Sequence, residues 1–263
     1  MSGALPEERL PEERLPEERL IAAIARLILD PAKHPARHIA VGAASPIPAA
    51  ASWLARALRP GLRVSVLNQR RGNPFTNGTG ELFDLTAEGR IDLFFLGGGE
   101  IDGAGNINLI GTGEWPGRAV RFPGSFGSAF MYLMVPRTIL YRFEHSPRVL
   151  VPKVAHISAP GTSPAGVFRR GHAEALVTGR AVFAFSPERA RFTLVSVHPG
   201  ERAESIRAAT GFDYDIAAPL VETPDPCPEW LELLRGPVAS AMAPTYPEFA
   251  ARLWPAAPAQ RCA

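Results

Sequence analysis

Residues 91–109 read Ile91-Asp92-Leu93-Phe94-Phe95-Leu96-Gly97-Gly98-Gly99-Glu100-Ile101-Asp102-Gly103-Ala104-Gly105-Asn106-Ile107-Asn108-Leu109. The run from Ile91 to Leu96 is apolar, rich in β-favouring residues and too short for an ordinary helix, which predicts a buried strand. Three glycines follow. They permit positive φ and let another group approach the backbone closely. The polar stretch Glu100 to Asn106 turns the chain, and a second short strand is expected near Ile107. A buried strand ending in an open glycine loop is where α/β proteins bind ligands. Glycine-rich turns also occur as plain structure, so the stretch alone predicts a strand and a turn.

Upstream, His38 to Gly42 reads as a strand, 42–48 (GAASPIP) as a small-residue loop, and Ala49 to Leu58 as a helix carrying Trp53 and Leu54. Pro60-Gly61 turns the chain into a second strand, Leu62 to Leu67. This β-loop-α-β order predicts a crossover and parallel strands. Asn68 to Gly80 is a polar loop expected on the same rim as the glycine loop, and Glu81 to Glu88 a short helix. Further upstream, Glu17 to Leu29 sets Leu20, Ile21, Ile24, Leu27 and Ile28 on one helical face. Three copies of Leu-Pro-Glu-Glu-Arg fill residues 5–19. A five-residue period matches neither helix nor strand, and a solvated tail is expected.

Downstream, 111–127 is loop-rich, and Ser128 to Val135 is apolar and fits helix or strand. Thr138 to Phe143, Val149 to Ile157 and Ala181 to Phe185 look like strands. Phe192 to Val197 alternates with period two and is expected to pair with 181–185. Glu201 to Thr210 reads as a helix closed by Gly211, 222–228 as a proline-rich connector, and Pro228 to Leu234 as a short helix. The expected fold is one α/β domain over 18–236, an open, mainly parallel mixed sheet with flanking helices. A disordered repeat tail (1–17) precedes it and a peripheral tail (237–263) follows it.

The 263 residues are 46% hydrophobic and carry a formal net charge of +2 with no basic stripe, which argues against nucleic acid as the main partner. Neither Cys227 nor Cys262 has a neighbour at ligand spacing, so no disulfide framework and no metal site is expected. His38 opens a strand and reads as structural, and His145, His156, His172 and His198 share no ligand spacing. No stretch has the length and apolarity of a membrane span or secretory signal, and a cytoplasmic enzyme or subunit is the expectation. Ser125 lies in Pro-Gly-Ser-Phe-Gly, which is not a nucleophile elbow, and Gly103-Ala104-Gly105 does not complete a dinucleotide fingerprint.

Four segments in order resemble the beta-type subunit of family I CoA-transferases, the group of glutaconate, 3-oxoacid and 3-oxoadipate CoA-transferases. They are Val41 to Pro48; Arg90 to Asn108, similar to the family's GGAQID..GN.N pattern; Arg121-Phe122-Pro123-Gly124-Ser125-Phe126-Gly127; and His198-Pro199-Gly200 with Ile206 and Thr210-Gly211-Phe212-Asp213. The resemblance covers about residues 20–236. It implies an open α/β fold, a homologous alpha-type partner subunit, and an acyl-CoA thioester as substrate. Coenzyme A then enters as part of the substrate, and no permanently bound cofactor is expected. Family members attack the thioester with a glutamate, forming an anhydride and then a glutamyl-CoA.

That glutamate follows the second core strand in the family, and here Val66 is followed by Leu67-Asn68-Gln69-Arg70-Arg71-Gly72. An amide is a poor nucleophile, so the resemblance carries over the fold and the substrate class but not the double displacement. Three functions stay open: hydrolysis or ring opening with a general-base carboxylate, transfer with a displaced nucleophile, and a non-catalytic scaffold completing a partner's site. The candidate carboxylates are Glu100 on the glycine loop and Glu81 at a helix start, where a negative charge is favoured anyway. Gly97, Gly98, Gly99, Asn68, Arg70 and Arg71 are the candidate substrate contacts. The glycine amides suit an oxyanion and the arginines suit phosphates or a carboxylate.

Overall fold

The computed structural model describes residues 15–69, 73, 75–114, 116–117, 119–122 and 124–255. The first two repeats of the expected tail, and Arg70, Arg71 and Cys262, lie outside the described residues. Helix α1 (Leu15–Leu29) opens with the third repeat and corrects the expected tail over 1–17, since residues 15–17 belong to the folded domain. Pro16 is tolerated there because first-turn amides have no intrahelical acceptor. Strand β1 (His38–Val41), helix α2 (Pro46–Leu58), strand β2 (Arg63–Val66), helix α3 (Gly78–Ala87) and strand β3 (Leu93–Leu96) follow in the expected order.

Two small hairpin ladders then interrupt the main sheet. Strand β4 (Glu100–Ile101) pairs with β5 (Ile107–Asn108), and β6 (Gly111–Thr112) with β7 (Val120–Arg121). Residues 128–135 resolve as helix α4 (Ser128–Met134). The chain rejoins the sheet as β8 (Arg137–Arg142), β9 (His172–Thr178), β10 (Ala181–Ser186) and β11 (Arg191–Val197), crosses helix α5 (Ala203–Ala209), and ends the sheet with β12 (Asp215–Glu222). The order across the sheet is β12-β11-β10-β9-β8-β3-β1-β2. From β2 to β9 all neighbours are parallel, β10 is antiparallel to both its neighbours, and β12 runs parallel to β11. This is the expected open, mainly parallel mixed sheet.

Both faces of the sheet are covered. Ile39, Val41, Leu93, Phe95 and Ile139 pack with α1 and α2 on one side. Ala40, Phe94, Leu96 and Leu140 pack with Leu82 of α3, Met131 and Tyr132 of α4 and Ile206 of α5 on the other. Alternate strand residues point to opposite faces, so a strand buried on both sides reads as an unbroken apolar run. That pattern is what makes Ile91 to Leu96 legible.

Two further expectations are corrected. Val149 to Ile157 is not a strand. It meets the β4/β5 hairpin through a bridge between Ile101 and Leu150, and Pro152 within it has no amide to give a ladder. Residues from 237 onward are not peripheral, at least to residue 255. Helix α6 (Pro228–Leu233), a π-helical turn at Leu234–Val238, and helices α7 (Ala239–Met242) and α8 (Pro247–Leu253) cover the α1/α2 face. Leu234, Val238, Met242, Leu253 and Trp254 are buried there. Glu18, fully buried in α1, accepts from Arg235 Nε and Nη2 (2.9 and 2.7 Å) and from the Trp254 indole (3.1 Å). Such a pair is kept because every oxygen has a donor. Among the described residues no helix is long and apolar enough to cross a membrane.

Candidate functional site

The chain runs from β1 to β2 on one side and then to β3 on the other side of β1. The gap between β1 and β3 is therefore a topological switch point, where α/β sheets open a crevice at the carboxyl ends of their strands. A cavity of about 690 Å³ lies there. The loop after β1 (44–48), the end of β3 with Gly97, Gly98 and Gly99, and the end of β8 with Tyr141, Arg142, Phe143 and Glu144 line it, joined by Phe122 and Arg148.

The glycines are demanded by close approach and not by positive φ, for none of the three adopts it. A Cβ on Gly97 would stand 2.7 Å from the Tyr141 carbonyl oxygen. On Gly98 it would stand 2.6 Å from the Glu100 carbonyl oxygen, and on Gly99 2.2 Å from the Phe122 ring. The Gly99 amide donates to the Asn108 carbonyl (2.9 Å), while among the described residues the Gly97 and Gly98 amides donate to no protein acceptor. Two unused donors on a cavity wall can receive a developing oxyanion.

The polar residues of the same motif build the hairpin behind this loop. Glu100 is 8% exposed and is not among the lining residues. Its Oε2 accepts from Asn108 Nδ2 (2.7 Å) and from the Ala155 amide (2.8 Å). Asp102 accepts from the Ala104 and Asn106 amides (3.0 and 3.1 Å) and from Asn106 Nδ2 (3.1 Å). Gly105, at φ +74°, closes the turn. Glu81 lies elsewhere, at the start of α3. It accepts from the Asn77 amide (3.1 Å) and the Thr76 hydroxyl (3.2 Å), and the Asn77 bond leads in holding its carboxyl below the usual range. Asn68 is exposed beyond β2 and does not line the cavity.

The one carboxylate lining the cavity among the described residues is Glu144. Its Oε1 accepts from the Ser146 hydroxyl (2.6 Å) and from Arg148 Nε (3.1 Å), its Oε2 from Arg148 Nη2, and Arg142 stands 3.9 Å away. Ser146 first, and then Arg148, hold its carboxyl below the ordinary range. Tyr141 beside it is pushed up by burial. A signal for Glu144 exists in the sequence: an Arg-Phe-Glu triplet ends the expected strand 138–143. What the sequence does not display is that this strand lies next to β3.

The loop after β1 is pinned from the C-terminal helices. Tyr246, before α8, donates its hydroxyl to the Ala43 carbonyl (2.8 Å). Ser45 and Pro46 then start α2, whose positive end faces the cavity residues.

The chain is 32% identical over 164 residues to the B-type subunit of the 3-oxoadipate CoA-transferase of Pseudomonas knackmussii, a match that covers 60% of this chain and 63% of that protein. It is 30% identical over 142 residues to the B-type subunit of the glutaconate CoA-transferase of Acidaminococcus fermentans (51% and 53%). It is 29% identical over 161 residues to the cholesterol ring-cleaving hydrolase IpdB subunit of Rhodococcus jostii (59% and 62%). The matches thus span between 53% and 63% of the length of these relatives. The fold is shared with the crystal structure of Rhodococcus jostii IpdAB, at TM-score 0.71 and 23% identity over 84% of this chain and 93% of that one. It is shared too with glutaconate coenzyme A-transferase of Acidaminococcus fermentans, at TM-score 0.69 and 21% identity over the same shares. The model of the family described as Coenzyme A transferase matches residues 20–209, with both the glycine loop and the strand that leads to Glu144 inside it, and the chain belongs to that family.

Proposed function

We propose that this chain is a beta-type subunit of a cytoplasmic enzyme that processes an acyl-CoA thioester in a cleft completed by a homologous alpha-type subunit. The observation that carries the proposal is the cavity at the β1/β3 switch point, walled by the glycine loop and by one ionised carboxylate. Two relatives are each named as the B-type subunit of an enzyme, which supports a partnered assembly.

No acidic residue occurs between Val66 and Glu81. In the proposal Glu144 takes the part of a displaced nucleophile. A carboxyl held low is a weak general base, but it is anionic at neutral pH and suits direct attack. One Glu144 oxygen bonds to the thioester carbonyl carbon, and the carbonyl π pair moves onto oxygen beside the Gly97 and Gly98 amides. Collapse restores the carbonyl, breaks the C–S bond and expels the CoA thiolate, leaving an acyl-Glu144 anhydride; the thiolate then attacks the Glu144 acyl carbon and expels the substrate's carboxylate, giving a Glu144–CoA thioester. Arg148, whose side chain is 71% exposed, is free to leave Glu144 for an anionic group of the substrate. Asn68, which follows β2, is proposed as a further substrate contact, as are Arg70 and Arg71, which come after it in the sequence. Glu81 serves its own helix start in this scheme.

A second reading has its own support. One relative is named a hydrolase, and Glu100 is a buried carboxylate directly behind the glycine loop. There Glu100 would activate water instead. The full chain, co-purified with its alpha-type partner, decides between them in an assay that follows acyl-CoA, free acid and free CoA on a panel of CoA thioesters. Acceptor-dependent conversion of one acyl-CoA into another without free CoA, with a borohydride-trappable protein thioester, supports transfer through Glu144. Release of free acid without an acceptor supports hydrolysis. Full activity of the partner alone would leave this chain a scaffold and contradict both.

A further inference from the structure

The opposite edge of the sheet carries a second constellation. The amino ends of β1, β2 and β3 meet in a concavity of about 310 Å³ lined by Arg37, His38, Arg63, Arg90 and Asp92. Three guanidiniums thus surround one carboxylate. That carboxylate is already engaged: Asp92 Oδ2 accepts from the Arg37 and His38 amides (2.8 and 2.9 Å), and the residue is 7% exposed. The Arg37 guanidinium comes no closer to it than 3.8 Å. Among the described residues the Arg90 side chain has only an exposed contact to Glu88 (3.2 Å), and the Arg63 side chain has no hydrogen-bond or ion-pair partner. A fourth guanidinium, Arg170, packs against Gly89, where a Cβ would meet its Nη1 at 2.6 Å.

The floor of the concavity is rigid and adds no charge. His38 is 5% exposed, and its Nε2 lies 2.8 Å from the Ser65 hydroxyl. Burial first, and then Arg63, hold the imidazole near a pKa of about 4, so it is neutral at pH 7. Like charges that outnumber their counter-ions raise the energy of a fold. A fixed floor with unspent guanidiniums above it is what an anion site requires. Arg37, Arg63, Arg90 and Arg170 against Asp92 and Glu88 leave a local excess of two, which matches the nearly doubly charged phosphate group at neutral pH.

We propose that Arg37, Arg63 and Arg90 form a binding site for a phosphate group, free or carried on a small phosphomonoester, at the amino edge of the sheet. It lies at the other end of the strands from the thioester cavity, and it stands whether or not that cavity works as proposed.

The test is calorimetric titration of inorganic phosphate into the full chain, with sodium chloride at matched ionic strength as the blank. A glycerol phosphate arm reads the phosphomonoester and a polyglutamate arm reads an acidic polypeptide. Saturable phosphate binding is expected, weakened at least about fivefold by Arg63→Gln and by Arg90→Gln and unchanged by Arg148→Gln in the cavity. Both edge arginines are exposed, and circular dichroism checks that each variant is folded. Three results would overturn the proposal: a signal that chloride reproduces; binding that ignores both edge substitutions or vanishes in Arg148→Gln; or polyglutamate binding that is tighter than that of phosphate and is lost in Arg63→Gln.

Discussion

At Gly98 a single methyl group would meet the Glu100 carbonyl oxygen at 2.6 Å and Ile107 Cγ2 at 2.7 Å. A backbone atom cannot step aside as a side-chain tip can. Gly98→Ala is therefore expected to destabilise the fold by about 1–3 kcal/mol, read as a lower urea midpoint at unchanged slope. At Glu100 the deciding atom is Oε2, which holds two donors. Glu100→Gln keeps an acceptor of the same shape, whereas Glu100→Ala leaves the Ala155 amide and Asn108 short of a partner. The alanine variant is expected to lose about 1–3 kcal/mol more than the glutamine variant in the same urea titration. At this scale the sequence tells which residue types matter and less about where they act. The glycine run is legible because three adjacent glycines have few uses. The placement of Glu100 behind the loop is not, because it depends on Asn108 and on residue 155, which the fold brings from 55 positions away. Arg70 and Arg71 fall outside the described residues.

Among the elements, the parallel block is readable because each strand is buried on both faces and is followed by a turn. Strand β9 is not, because its Ala173-Glu174-Ala175 core is a poor strand former in isolation. Glu174 is there because it accepts from Arg137 Nε and Nη2 at 2.6 and 3.0 Å in the interior. Strand β12 contains Pro219, which argues against a central strand and is allowed here because β12 is the sheet edge. The C-terminal helices are hidden by a composition dominated by Ala and Pro, while the few large residues, Val238, Met242, Leu253 and Trp254, face the core. These helices also set the cavity wall through Tyr246. Tyr246→Phe removes the hydroxyl bond to Ala43, a loss of about 0.5–1.5 kcal/mol. Amides of the 43–49 segment are expected to exchange hydrogen faster in the variant, with protection of β3 unchanged; uniform loss of protection would mean a global effect instead.

For the whole molecule, buried imidazoles tie stability to pH. Burial first, then Arg180, holds His145 near a pKa of about 4, with Glu201 and His198 as the other charged or titratable neighbours. His38 is held at about 4 as well, and burial lowers His198 too. The unfolded chain then binds more protons than the folded one between pH 6.5 and about 4. Stability is full above pH 6.5 and falls as the pH drops through that window, by about 1.4 kcal/mol per unit for each such group. Urea midpoints measured at about pH 7.5, 6 and 4.5 should decline in that order, and a flat profile would contradict neutral burial. His145→Gln should flatten the slope in part. The overall architecture, an open mixed sheet with helices on both faces, follows from the order of apolar runs. The cavity does not, since it exists only because β3 and β8 are neighbours. The central claim is most directly tested by the turnover of a CoA thioester by the full chain with its alpha-type partner, wild type against Glu144→Gln. The expected result is a fall in kcat of at least about a hundredfold at nearly constant KM, with Glu100→Gln close to wild type; full turnover by Glu144→Gln would contradict it.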